Sequence, residues 1–331
     1  MPTRRAAGPT NGRTDTGCDG GRDGRPGRGR RAAGANVGAG RPAGPERGRI
    51  AQGAVRLFAR AGGGADRAAI VRRGGVSGFA RFSLEGRVAV VTGGGGGLGS
   101  AGALALAECG ADVVLVARNR ARLEESAAAV EAAGRRAIVI EADVADARAM
   151  VDAAAEAEAA LGRVDVLFNN AGITNPQAVL DVSPEDFLRV QEVNIAGAFH
   201  AVRAFAPAML ARGFGRIINM GSILSGRGMA NRGAYCASKA GLANFGAACA
   251  FEFGGRGVTV NTLGATVIVT DLNRELVRTQ PELYARVVDR TPLGRLGEVE
   301  DLMGALIFLA SPASGFVTGQ TLFVDGGYTA G

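Results

Sequence analysis

From Phe82 onward, short apolar runs alternate with longer Ala-, Leu- and Glu-rich stretches, and this alternation constrains the fold of the 331-residue chain more than any other feature. Val88–Val91, Val113–Val116, Ala137–Ile140, Val164–Phe168, Arg216–Met220, Val258–Leu263 and Thr321–Val324 read as seven strands, because each is a short, largely apolar run. The stretches between most of them are long enough for helices. One opens Ser183-Pro184-Glu185-Asp186, where serine caps and proline suits the first helical position. Strands joined through helices connect as right-handed βαβ units, which predicts an α/β fold: a Rossmann-type, doubly wound, seven-stranded and mostly parallel sheet with helices on both faces.

Charge divides the chain in two. The net charge of +7 conceals 17 Arg against 5 acidic residues in positions 1–81, and 21 basic against 26 acidic residues in 82–331. The first segment, rich in Arg, Gly, Ala and Pro, lacks the apolar surface that would offset chain entropy, so 1–81 is expected to be a disordered extension. It also lacks the interleaved aromatics that stack on bases, and no nucleic-acid partner is expected. An upstream mis-assigned start, with Val76 as initiator, accounts for its composition. Residues 82–331 suffice for one catalytic domain. Cys18, Cys109, Cys236 and Cys249 form no C-x-x-C pair, and with a single histidine no zinc set is expected. Absence of a signal-like apolar segment and of a run of ~18–20 apolar residues points to a cytoplasmic protein without membrane insertion.

Three constellations carry chemistry. Thr92-Gly93-Gly94-Gly95-Gly96-Gly97-Leu98-Gly99 lies between a strand and a helix, where glycines let a pyrophosphate approach free N–H groups at a helix N-terminus. The next strand ends in Val116-Ala117-Arg118-Asn119, without the acid that would bind a ribose 2′-hydroxyl; Arg118 suits a 2′-phosphate and favours NADP over NAD. Ser222, Tyr235 and Lys239 form the third. Positions 235 and 239 share a helix face, so an ammonium sits beside a phenol and favours phenolate at neutral pH. Lys239 is the only lysine among 38 basic residues, which points to a task that arginine cannot perform.

With these pieces the chain resembles the short-chain dehydrogenase/reductase family over residues 82–331. The matching segments are TGGGGGLG at 92–99, Asp143-Val144, NNAG at 169–172, Asn194 in VNIAGAF, Ser222 in INMGS and YCASK at 235–239. Within the family it is most similar to gluconate 5-dehydrogenase-like and 3-oxoacyl-carrier-protein reductase-like members. The resemblance implies hydride transfer between NAD(P) and a secondary alcohol or ketone of the polyol, sugar-acid or 3-oxoacyl class. Tyr235 would be the general acid and base, Ser222 would hold the substrate oxygen, Lys239 would bond the nicotinamide ribose and depress the tyrosine pKa, and Asn194 would hold a relay water. Thr92, Gly93, Gly97, Leu98, Gly99, Arg118, Asp143, Val144, Asn170, Ala171, Gly172, Ile268 and Thr270 would line the cofactor together with Tyr235 and Lys239. A homo-oligomer, tetramer or dimer, is implied, with Val267 to Arg290, including Leu272, as a lid over a small-molecule substrate.

Two departures stand out. Ala265-Thr266 replaces the Pro-Gly that most relatives carry after the sixth strand, and Gly96 stands where NADP-dependent relatives often carry a basic residue. A threonine at a glycine position forbids a positive φ. The alternative reading, a non-catalytic nucleotide-binding member of the fold, rests on that replacement. His200 is expected to pack rather than catalyse, Cys236 to face away from Tyr235, and Asp325-Gly326-Gly327 to turn the chain after the last strand.

Overall fold

The computed structural model describes residues 78–271 and 273–331, so positions 1–77 of the Arg-rich extension, and Leu272, lie outside the described residues. Seven parallel strands form one sheet: β1 (Val88–Thr92), β2 (Asp112–Ala117), β3 (Ala137–Glu141), β4 (Val166–Asn169), β5 (Gly215–Met220), β6 (Val258–Ala265) and β9 (Thr321–Val324). Their order is β3-β2-β1-β4-β5-β6-β9, all in parallel register. The order reverses between β1 and β4, and such a switch point opens a crevice at the carboxyl ends of the strands.

Period-two alternation distributes the strand side chains between two cores. Val88, Val90, Val114 and Val116 face one side, packed with Met150 of α3 (Ala147–Leu161), Phe205 and Met209 of α5 (Gly197–Arg212) and Cys249 of α6 (Gly233–Phe253). Ala89, Val91, Val113 and Leu115 face the other, against Leu106 of α1 (Gly97–Glu108), Leu123 of α2 (Arg120–Ala132) and Leu306 of α9 (Val299–Ala310). Both faces are covered, which is why these strands read as continuous apolar runs rather than alternating ones. Ser183 caps α4 (Pro184–Gln191) by accepting from Asp186 N at 3.0 Å.

The structure corrects the sequence reading at four places. A 3-10 turn at Phe79–Phe82 precedes the expected boundary, and Phe82 meets Phe308 with ring centroids 6.4 Å apart, so the fold begins inside the segment assigned to the extension. Strand β4 starts at Val166 rather than Val164; the wholly buried Asp165 before it accepts from Val88 N and pairs with Arg87 and Arg163. A second sheet, β7 (Ile268–Val269) with β8 (Gly297–Glu298), is too short to leave a pattern. Finally, Pro184–Arg212 runs as a continuous helical stretch of 29 residues with mean hydropathy 1.2, long and apolar enough to cross a membrane, although 50% of its most apolar window is buried inside this fold.

Candidate active site

The glycine loop is shaped by close approach. Thr92 Oγ1, at the end of β1, accepts from Asn170 N (3.1 Å) and Ala171 N (3.2 Å), tying β1 to the end of β4. Asn170 Nδ2 donates back to the carbonyls of Thr92 and Gly93 at 3.2 and 3.3 Å. Asn170 therefore braces the loop rather than offering its amide to a ligand. Gly93 has φ +68°, and a β-carbon there would stand 2.9 Å from Ala171 Cα. Gly97 also lies in the left-handed region, at φ +53°, where α1 begins. Leu98 points back into the core.

Beside this loop a groove of about 770 Å³ opens at the β1/β4 switch point, bounded by Gly93, Gly95 and Gly96, by Arg118, Asn119 and Arg122, by Asp143 and Val144, and by Ala171 and Gly172. A β-carbon on Gly96 would meet nothing within 4 Å, so the loop leaves this side of the groove open, as a dinucleotide laid across it requires. Asp143 Oδ1 accepts from Ala145 N in a tight turn, while Oδ2 lies 3.8 Å from Arg118 and 3.5 Å from Arg189. Val144 is fixed from behind. Its carbonyl bonds His200 Nδ1 at 3.0 Å, and Gly197 approaches so closely that a β-carbon there would lie 2.7 Å from Val144 Cγ2. The sole histidine is thus a brace of the groove wall.

Arg122, Asn119 and Arg189 were not among the residues singled out from sequence. Arg122 lies in the first turn of α2, just beyond the strand-end residue Arg118, and that closeness in sequence was the signal available for it. Asn119 caps α2 by accepting from Arg122 N at 3.1 Å. Arg189 arrives from α4 through tertiary packing alone, held by Glu192 at 2.6 Å.

The second cluster sits beyond the other end of the groove. Ser222 begins a 3-10 turn after β5; its Oγ accepts from Leu224 N at 3.1 Å, and its N–H donates to Ser225 Oγ. Tyr235, two residues into α6, has its hydroxyl close enough to Ser222 for that side chain to favour the phenolate. One turn on, Lys239 is buried, donates to the Met220 carbonyl at 2.6 Å and lies 5.5 Å from the Tyr235 ring centroid. Burial without a counter-ion lowers its pKa to about 8. Burial pushes the Tyr235 phenol up, and the Ser222 side chain and the Arg232 charge only partly offset it. In the protein alone the expected depression of the phenol pKa is therefore absent.

Asn194 occupies a π-helical turn, Glu192–Ala196, inserted between α4 and α5. Its Oδ1 accepts from Ile173 N (2.8 Å), and its Nδ2 donates to Ile173 O and Ser238 Oγ (both 2.9 Å). A β-carbon on Gly172 would lie 3.3 Å from Asn194 Oδ1 and 3.5 Å from Lys239 Nζ, so both polar atoms address one point beside Gly172.

Two predicted cofactor residues stand apart from the groove. Ile268 is buried in the core, and Thr270 N donates to Asn273 Oδ1 at 2.7 Å, capping the turn into α7 (Arg274–Thr279). At the replaced Pro-Gly pair, Thr266 does not adopt a positive φ; among described non-glycine residues only Asn231 does, at +58°. The feared conflict of backbone and side chain does not arise. Cys236 and Tyr235 both pack against the cluster of Ile223, Leu224 and Tyr328. Asp325 turns the chain as expected, accepting from Gly327 N and Thr329 N.

Residues 94–329 match the family model described as enoyl-(acyl carrier protein) reductase. The chain is 44% identical over 252 residues to galactitol 2-dehydrogenase (L-tagatose-forming) of Cereibacter sphaeroides, covering 75% of this chain and 97% of that protein. It is 38% identical over 248 residues to gluconate 5-dehydrogenase of Gluconobacter oxydans, covering 75% and 96%. The crystal structure of a gluconate 5-dehydrogenase from Burkholderia cenocepacia in complex with NADP and tartrate superposes with a TM-score of 0.73 at 39% identity, over 76% of this chain and 98% of that one. The glycine loop, the groove at the switch point and the Ser222–Tyr235–Lys239 cluster thus belong to a member of the short-chain dehydrogenase/reductase family, an NAD(P)-dependent enzyme acting on CH–OH groups.

Proposed function

We propose that this enzyme interconverts a secondary alcohol of a polyol or sugar acid and the matching ketone, with NADP preferred to NAD and Tyr235 as general acid and base. The observation that carries this reading is the convergence of the Ser222 hydroxyl, the Tyr235 phenol and the buried Lys239 ammonium beside a glycine-lined groove. The names of the relatives, a galactitol and a gluconate dehydrogenase, support the substrate class. When bound, the nicotinamide exchanges hydride with the substrate carbon.

The protein's own residues do the rest. Gly93, Gly96 and the N-terminus of α1 take the pyrophosphate, Asp143 and Val144 flank the adenine, and Arg118 with Arg122 meets the 2′-phosphate. Ser222, its Oγ held by Leu224 N, orients the substrate oxygen toward Tyr235. Tyr235 gives that oxygen its proton in reduction and removes it in oxidation. Lys239 supplies a positive charge beside the phenol, which with a bound oxidised nicotinamide would bring it down to a working pKa. The shared point beside Gly172 suits a water that passes the proton from Lys239 toward Asn194.

Leu188 and Phe199 are 62% and 40% exposed and border a surface groove of about 800 Å³ with Ile195 and Phe245, which supports association of copies through α4, α5 and α6. The described cysteines are free thiols, consistent with a reducing, cytoplasmic setting.

Tyr235→Phe tests the reading. It removes the proton donor and little binding surface, so turnover of a polyol or sugar acid falls about 10²–10⁴-fold while NADPH affinity is unchanged. Undiminished turnover in that variant refutes the mechanism.

A further inference from the structure

Asn231 is held at φ +58°, in the left-handed region, four residues before Tyr235. Backbone strain of this kind, milder for asparagine than for other residues, gathers at ligand clamps and active sites. What this turn delivers is Arg232. The residue is partly buried, its side chain makes no cap to α6, and its Nη1 donates to Thr174 Oγ1 at 3.5 Å in an exposed contact. Thr174 lies on the loop after β4, directly following the groove residues Ala171, Gly172 and Ile173. Gly233 seats the helix start against the same loop, where a β-carbon would stand 3.0 Å from Val179 Cγ2, and Gln191 Nε2 holds Ala234 O at 2.9 Å.

Arg232 has no carboxylate partner among the described residues. In that respect it differs from Arg274, which pairs with Asp271, and from Arg278, which pairs with Glu275. Through Thr174, Arg232 reaches the loop that runs on from the groove wall, and in sequence it stands three residues before Tyr235. Arg232 is the residue immediately before α6 and Tyr235 lies in its first turn, so the two side chains leave neighbouring points of the backbone.

We propose that Arg232 receives the carboxylate of an aldonic acid while Tyr235 addresses a hydroxyl carbon further along the same chain, so that the enzyme selects sugar acids over neutral polyols. The planar guanidinium fork matches a carboxylate with two parallel hydrogen bonds, and a neutral polyol has no group that pairs with it. This assignment rests on the reading that a polyol or sugar acid binds at Tyr235.

The test uses the full chain with oxidised NADP and compares D-gluconate with galactitol, by calorimetric binding and by turnover, in the wild type, Arg232→Gln and Arg232→Lys. The wild type binds gluconate more tightly than galactitol. In Arg232→Gln the ratio of the two affinities falls about tenfold or more, the equivalent of one charged hydrogen bond, and Arg232→Lys recovers part of it. The pH profile of kcat keeps its limbs. Equal affinity for both compounds in the wild type, or a gluconate preference that survives in Arg232→Gln, overturns the proposal. So does an equal loss of kcat on both compounds with a displaced pH limb, because Arg232 would then act through Tyr235. If neither compound is turned over but gluconate binding still depends on Arg232, the carboxylate site stands and the proposed reaction falls.

Discussion

Lys239 Nζ donates to the Met220 carbonyl at 2.6 Å, and among the described residues this is its one hydrogen bond. A buried ammonium held by a single carbonyl and no counter-ion is costly in its charged form, which is why its pKa drops from 10.5 to about 8. Between those values the unfolded chain binds more protons than the folded one, so stability contributed by this group rises as pH rises through the window. Cys249 works in the opposite sense. Burial pushes its thiol from 9.0 to about 11, so its contribution is lost as pH climbs above 9. The span from pH about 7.5 to 9 therefore isolates the lysine. In calorimetric scans of the cofactor-free protein the Tm of the wild type rises across that span relative to Lys239→Met; parallel curves would show that the ammonium is not destabilised.

Gly99 and Gly96 make a contrasting pair. A β-carbon on Gly99 would stand 2.1 Å from the Gly93 carbonyl oxygen and 2.7 Å from Asn170 Nδ2, and neither group can yield because each holds the loop. Gly99→Ala is expected to cost about 1–3 kcal/mol of stability and to weaken NADPH binding. Gly96 has extended backbone, φ 162°, and open space at its β-carbon. Gly96→Ala leaves the Tm in place and lowers NADPH affinity alone, since its methyl enters the groove. Thermal melts with and without NADPH separate the two.

The seven strands of the main sheet and most of the helices between them were legible in the sequence because a sheet covered on both faces demands unbroken apolar runs, and these are short and bounded. Thr92, Ser222, Tyr235 and Lys239 were legible because their chemistry is local: a strand end, a turn and one helix face. The π turn at Glu192–Ala196 was not, since Asn194 is held by Ile173 and Ser238 from distant segments and nothing in its own neighbourhood announces the extra residue. Arg189 and the bracing role of Asn170 were hidden for the same reason. The burial that raises the Tyr235 phenol pKa in the protein alone was not legible, because spacing gives a neighbouring charge but no measure of burial.

Arg118 and Arg122 line the groove, whereas Arg120, between them in sequence, pairs with Glu124 at 2.9 Å. A phosphomonoester placed between two guanidinium groups makes charge-assisted hydrogen bonds to each. Alanine at position 118 or 122 should weaken NADPH about tenfold, or ~1.4 kcal/mol, and leave NADH within twofold (about 0.4 kcal/mol), while Arg120→Ala changes neither. Titration followed by nicotinamide fluorescence suits this chain, which contains no tryptophan. Equal losses for both cofactors would move the two arginines from the 2′-phosphate to the pyrophosphate.

Thr266 Oγ1 is buried and has no hydrogen-bond partner, beside a cavity of about 120 Å³ that Thr291, Arg295 and Asp301 also line. An unpartnered buried hydroxyl carries a desolvation penalty of about 1–3 kcal/mol, whereas an apolar group of the same shape carries none. Thr266→Val should therefore raise stability, by up to about 1 kcal/mol, which corresponds to a Tm gain of roughly 2–4 °C in a domain of this size. Because the residue does not occupy a left-handed backbone, glycine brings no conformational relief there. Thr266→Gly, which restores the residue common in relatives, should instead lose about 0.5–1 kcal/mol through the added freedom of the unfolded chain. Cofactor affinity stays unchanged in both variants. A glycine variant that melts higher and binds NADPH more tightly would mean that threonine at this position impairs the nicotinamide end of the site, and would return the non-catalytic reading to contention.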